Sequence, residues 1–121
     1  MNYKLIIERR LPNLNDYIAD LNVNKFRGAK LKRETEQYIS TFIKSQLRGV
    51  RITDPVTAQF TWIEPDRTRD KDNVAFAKKF IFDALVRNNV IVNDGWAQIA
   101  GFADCFSVDS DNPRVEVVLS T

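Results

Sequence analysis

Asp70 and Asp72 stand two residues apart in the stretch Arg-Asp-Lys-Asp-Asn at 69–73, and a third aspartate, Asp94, follows later in the chain. Carboxylates so placed do one of two things. They cap a helix and decorate a turn, with Asp72 or Asn73 as the N-cap and Asp94 as a turn residue. Alternatively they hold a divalent cation, because residues i and i+2 of an extended segment point to the same side. The chain contains no His and a single Cys, Cys105. That excludes Ser-His-Asp triads, Cys-His pairs, His general bases and zinc sites built from His or several Cys. A catalytic metal in this chain has to be held by oxygen, which selects hard cations such as magnesium or manganese.

Two lysines follow the aspartate pair, Lys78 and Lys79. They are either solvated or placed so that one ammonium stabilises developing charge on a phosphate. Arg67 and Arg69 are either surface ion-pair partners or bidentate phosphate donors. Charge is unevenly spread along the chain. Residues 1–62 carry eleven Lys and Arg against six Asp and Glu, a net of +5, and residues 63–121 carry seven against ten, a net of −3. This is either a solvated face or a basic surface for a polyanion beside an acidic pocket for a cation.

The elements that must position these groups can be read from periodicity. Residues 3–9 alternate as a strand with Tyr3, Leu5 and Ile7 on one face. A turn-like stretch at 10–17 contains Pro12, and Asn15 is a candidate N-cap for a short helix starting near Asp16. Gly28 interrupts, and a longer helix is expected over 29–49. There Leu31, Tyr38, Ile39, Phe42, Ile43 and Leu47 recur at helical spacing, and Gly49 fits the stop. Lys30, Arg33, Lys44 and Arg48 lie off that stripe.

Residues 57–64 alternate as a second strand, with Ala58, Phe60 and Trp62 facing one way. A charged loop leads to a helix over 73–89, and Asn93-Asp94-Gly95 is a turn. The helix carries the chain away and the next segment can bring it back, so Asp94 lies either near the start of that helix or far from it. Two apolar segments, 99–109 and 114–120, are expected to pair as an antiparallel hairpin. The order β-α-α-β-α-β-β does not alternate strictly, which predicts an α+β fold: a small mixed sheet with helices packed mainly on one side.

The 121 residues suit one domain, 1–121, able to bury roughly two-thirds of its unfolded surface. One Cys allows no intrachain disulfide, which fits a reducing compartment. No apolar run reaches signal-peptide or membrane-span length, so a soluble, cytoplasmic protein without membrane contact is expected.

The segment from Glu64 to Trp96 resembles the RusA family of Holliday junction resolvases, in a phage or prophage-type form. The positions that carry the resemblance are Pro65, Asp66, Asp70, Asp72, Asn73, the run Phe82-Asp83-Ala84-Leu85, and Asp94. The dense match covers about a quarter of the chain, and Asn15 fits a family asparagine near the first loop. The resemblance implies a small homodimeric, magnesium-dependent endonuclease, with manganese as a substitute and no organic cofactor. Such an enzyme resolves four-way DNA junctions by paired symmetric nicks in recombination and repair, in the cytoplasm of a bacterium or infected host.

Carried over by position, the resemblance makes Asp70, Asp72 and Asp94 the metal ligands. The family's catalytic lysine falls on Lys79 when counted back from Phe82, whereas counting forward from Asp72 lands on Phe76. The helix is about one turn longer than the family pattern, or roughly 5 Å along its axis, so Lys78 stays a candidate beside Lys79. Arg67, Arg69, Asn73, Asn15, Lys30 and Lys32 are the expected DNA contacts. An exposed apolar face of the terminal hairpin is one expected place for the dimer contact. Three other readings remain: a catalytically silent branched-DNA-binding module of the same fold, an unrelated interaction protein, and a nuclease of flaps or other branches.

Overall fold

Alternating burial along three strands builds the core of the computed structural model, which describes residues Met1–Thr121. In chain order the elements are β1 (Asn2–Glu8), α1 (Leu14–Val23), α2 (Lys25–Gln46), β2 (Val56–Glu64), α3 (Lys71–Ala75), α4 (Lys78–Arg87), β3 (Ile99–Val108) and β4 (Arg114–Ser120). The strands form one mixed sheet in the order β1-β4-β2-β3. β4 runs antiparallel to both β1 and β2, and β2 runs parallel to β3. The fold is a small α+β fold, as the pattern of elements implies.

The registers place the core residues in rows. Leu5, Val117 and Phe60 lie across neighbouring strands, as do Ile7, Val115 and Trp62. Ile39 and Ile43 of α2 and Ile81 and Leu85 of α4 join these rows in a single cluster of 24 buried residues. Each fully buried side chain of this size contributes about 1.5–3 kcal/mol of hydrophobic transfer. No helix is long and apolar enough to cross a membrane.

Four local expectations need correction. The segments at 99–109 and 114–120 do not pair with each other, because β2 lies between β3 and β4. The reason is burial: β2 buries Val56, Ala58, Phe60 and Trp62, and also Ile63 on its other face, so it takes the sheet interior. Half-exposed β3 is left at an edge, and no terminal hairpin exists to offer a dimer face. The parallel β2–β3 pair needs a long crossover, and the chain from 65 to 98 supplies it.

The helix expected over 73–89 begins at Lys71 and is divided into α3 and α4. Phe76 and Ala77 keep right-handed helical dihedrals, but tighter bonds replace the regular ladder there: Ala77 N to Val74 O (3.2 Å), Lys79 N to Phe76 O (3.1 Å) and Phe80 N to Ala77 O (3.0 Å).

Gly28 does not interrupt a helix. It lies inside α2, which starts at Lys25 behind the N-cap Asn24. Its missing side chain lets α1 pass closely, since a Cβ there would stand 2.3 Å from Leu21 Cδ2. The cap of α1 is Asn13 rather than Asn15. Asn13 Oδ1 accepts from Asp16 N (2.8 Å), and Asp16 Oδ2 accepts from Asn13 N (2.9 Å), a reciprocal capping box. Asn15 is exposed on the first turn.

Candidate functional site

The crossover between β2 and β3 carries the whole run from Pro65 to Asp94. Asp70 occupies the N-cap position of α3, with extended dihedrals, yet its side chain makes no capping bond. Its carboxylate is therefore not consumed by the helix, and the residue lines a depression of about 680 Å³ at the C-terminal ends of β2 and β3. Asp72 sits exposed in the first turn of α3, where its Oδ1 accepts from Asn73 N (2.9 Å).

Lys78 and Lys79 face different surroundings, as neighbours about 100° apart around a helix must. Lys78 is mostly buried and pairs with Asp104 of β3. Asp104 Oδ1 also accepts from Trp62 Nε1 (2.9 Å), and Lys78 Nζ lies 4.2 Å from the centre of the Phe102 ring. Lys79 turns toward α2. Its Nζ donates to Asp83 Oδ1 (3.0 Å), one turn along α4, and stands 3.5 Å from Asp94 Oδ2.

Asp94 thus returns to the start of α4. Val90 and Ile91 are buried and anchor the returning chain, with Ile52 N donating to Val90 O (2.8 Å) and Ile91 bridging Ile52. Asp94 N donates to Asn93 Oδ1 (2.9 Å), which sets the turn.

Two acidic residues near Lys79 carry no role in the sequence reading. Asp83 Oδ2 is buried without a hydrogen bond, and Lys32 Nζ of α2 lies 3.4 Å from it. Glu36 of α2 is 3% exposed and lies 3.8 Å from Arg87 Nη2. Both line a second depression, of about 380 Å³, together with Lys32, Lys79 and Asp94. The signals for them were present: Asp83 is four residues from Lys79, and Glu36 falls on the helical spacing of the buried stripe Ile39 and Ile43. The hydrogen bond to Asp83, aided by the charges of Asp83 and Asp94, raises the Lys79 pKa above its ordinary value against the opposing effect of burial. Lys79 is accordingly a cation and not a general base.

The three aspartates are not gathered around one point, and no group of three carboxylates in the chain can hold a metal ion together. Asp94 Oδ2 lies beside Lys79 Nζ on α4, whereas Asp70 and Asp72 stand at the start of α3. Asp70, Asp72 and Asp94 therefore do not fit a magnesium ion as one ligand set in this arrangement.

The expected DNA contacts fall into separate patches. Arg67 is exposed beside Asp70, and Asn73 is half-buried on α3. Arg69 is committed to structure: it donates to Leu11 O (2.9 Å) and Asp16 Oδ2 (3.1 Å), tying the loop to the start of α1. Lys30 is exposed with Glu34 at 3.8 Å, Asn15 lies on α1, and Lys32 stands beside Asp83. In the same loop the Thr68 hydroxyl and amide bond Asp66 and hold its carboxyl below the usual range. No protein-family model matches the chain, and no curated protein matches it.

Proposed function

We propose that the protein is an endonuclease that resolves four-way DNA junctions by paired symmetric nicks, in recombination and repair. The cofactor proposed is Mg²⁺, with Mn²⁺ as a substitute, although Asp70, Asp72 and Asp94 do not form one ligand set in this arrangement, and the enzyme acts as a homodimer in the cytoplasm. The observation that supports this reading best is the return of Asp94 to Lys79, which joins two separated parts of the motif in one depression. Lys79, kept charged by Asp83, is suited to stabilise negative charge that develops on a phosphate. Asp70, left free by the helix it precedes, is the carboxylate available beside Arg67. Two symmetric cuts on a two-fold substrate call for a C2 dimer.

A second reading, a branched-DNA-binding module without catalysis, is favoured by the separation of the aspartates. Incubation of a synthetic four-way junction, against linear duplex of the same sequence, with magnesium and with chelator, decides between them. Paired nicks confined to the junction and lost with chelator support the endonuclease. Asp70→Asn is then expected to abolish cutting while junction binding persists. Retention of the junction without nicks in either metal supports the silent module. Failure to bind any DNA sinks both and leaves an unrelated interaction protein. Cutting of flaps in preference to junctions replaces the substrate with another branch.

A further inference from the structure

The depression beside Asp70 has contents that phosphate binding does not explain. Its volume, about 680 Å³, lies within the roughly 300–1,000 Å³ of sites that enclose a small organic group. Trp62, Val74 and Phe106 supply apolar lining, and Phe106 is half-buried with Lys71 Nζ over its ring, 5.6 Å from the centre, so a base stacking on that face displaces the ammonium toward a phosphate. Glu64 forms part of the wall. It is only 9% exposed, and its Oε1 takes Arg10 Nη2 at 3.0 Å. Arg67 and Lys71 are exposed at the rim. An aromatic ring suits a flat π-system, a buried carboxylate suits an exocyclic amino group, and two rim cations suit a phosphate. One ligand class combines all three: a nucleotide whose base is out of its stack.

We infer that this depression receives an unstacked, amino-bearing nucleobase from the branch point of the DNA, stacked on Phe106 and hydrogen-bonded to Glu64, with its phosphate at Arg67 and Lys71. The inference rests on the branched-DNA reading above and adds a subsite to it. Unstacking costs less where the continuity of stacking is already broken, as at a branch point, so the pocket selects the branch over continuous duplex. Occupation would also set the neighbouring phosphate beside Asp70.

The test is fluorescence of 2-aminopurine placed at each branch-point position of a four-way junction, titrated with full-length protein in chelator so that no cutting occurs. A control junction carries the probe inside a paired arm. The expected result is a several-fold rise at one or more branch-point positions and none in the arm. Phe106→Leu, which keeps apolar bulk and removes the π-face, should lose most of that rise at protein concentrations that saturate the junction. Its folding is checked by circular dichroism, and Lys71→Gln serves as a second variant that leaves the core untouched, with weaker binding expected.

A junction that is bound tightly with no fluorescence change at any branch position overturns the subsite and leaves the endonuclease reading standing. Absence of junction binding overturns both. Full reversal of the rise by free deoxyadenosine monophosphate at stoichiometric concentration assigns the pocket to a free nucleotide and overturns the branch-point base.

Discussion

Lys78 and Lys79 have the same side chain and opposite fates. Lys78 packs on β3 through Asp104 and the Phe102 ring, whereas Lys79 lies between Asp83 and Asp94. Lys79→Met is expected to lower junction cleavage by about 100-fold or more, the usual scale for a lost charge-stabilising donor, with Lys79→Arg recovering part of the rate. Lys78→Met should leave the rate within about threefold and act on stability, by about 1–3 kcal/mol, because it strips Asp104 of its cation. Single-turnover cleavage and urea unfolding separate the two effects. An equal rate loss in both variants would remove Lys79 from its assigned role. The pH dependence follows from the raised Lys79 pKa. A raised folded-state value means that the ion pair's contribution is complete at neutral pH and is lost as pH climbs through that value. Cleavage should therefore show no falling limb due to Lys79 around neutral pH or anywhere below the ordinary lysine range. A limb near neutrality that disappears in Lys79→Arg would contradict this.

At the scale of elements, the capping box of α1 holds the loop that Arg69 reaches across to bind. Asn13→Ala should cost about 1 kcal/mol, since the Asp16 amide loses its partner, and Asn15→Ala less than about 0.5 kcal/mol. Urea unfolding of the two variants checks the order, and an equal cost would contradict the assignment of the cap to Asn13. The helix pair α3–α4 shows what periodicity can and cannot reveal. Its apolar spacing was readable, because Val74, Ala77, Ile81, Ala84 and Leu85 all end in the core. Its tightening at Phe76–Ala77 was not, since ordinary helix formers surround it and Pro or Gly is absent from the segment. The strand pattern likewise located β2, β3 and β4 but misjudged their neighbours. Alternation identifies a buried face and carries no information on which strand lies alongside.

For the whole molecule, the uneven charge has a measurable consequence. If the basic half contacts phosphates, junction affinity should fall linearly on a log–log plot against salt, with a slope of about −0.9 per phosphate neutralised. A flat salt response would mean that the basic residues of α2 serve only its solvated face. Light scattering at the concentrations used for cleavage tests the homodimer, and a monomer active in paired nicking would contradict the symmetry argument. The sheet treats its two edges differently. Gln46 occupies the free backbone groups of Ile6 on edge strand β1, with bonds of 2.7 and 2.8 Å, whereas β3 is the other edge.

Composition excluded histidine chemistry outright, and local pattern placed the helices, the strands and the α+β class, because propensity, alternation and residue chemistry are properties of short segments. The aspartates and lysines of the crossover were identified by type and order alone. Long-range packing decided the rest. Burial of Val90 and Ile91 brought Asp94 back to Lys79, and about 100° of helical rotation sent Lys78 to Asp104 on β3. The same packing set Asp83 and Glu36 beside Lys79, where α2 meets α4. It also left Asp70 and Asp72 at the start of α3, apart from Asp94 beside Lys79 on α4, because which segments return to one another depends on long-range burial rather than on spacing along the chain.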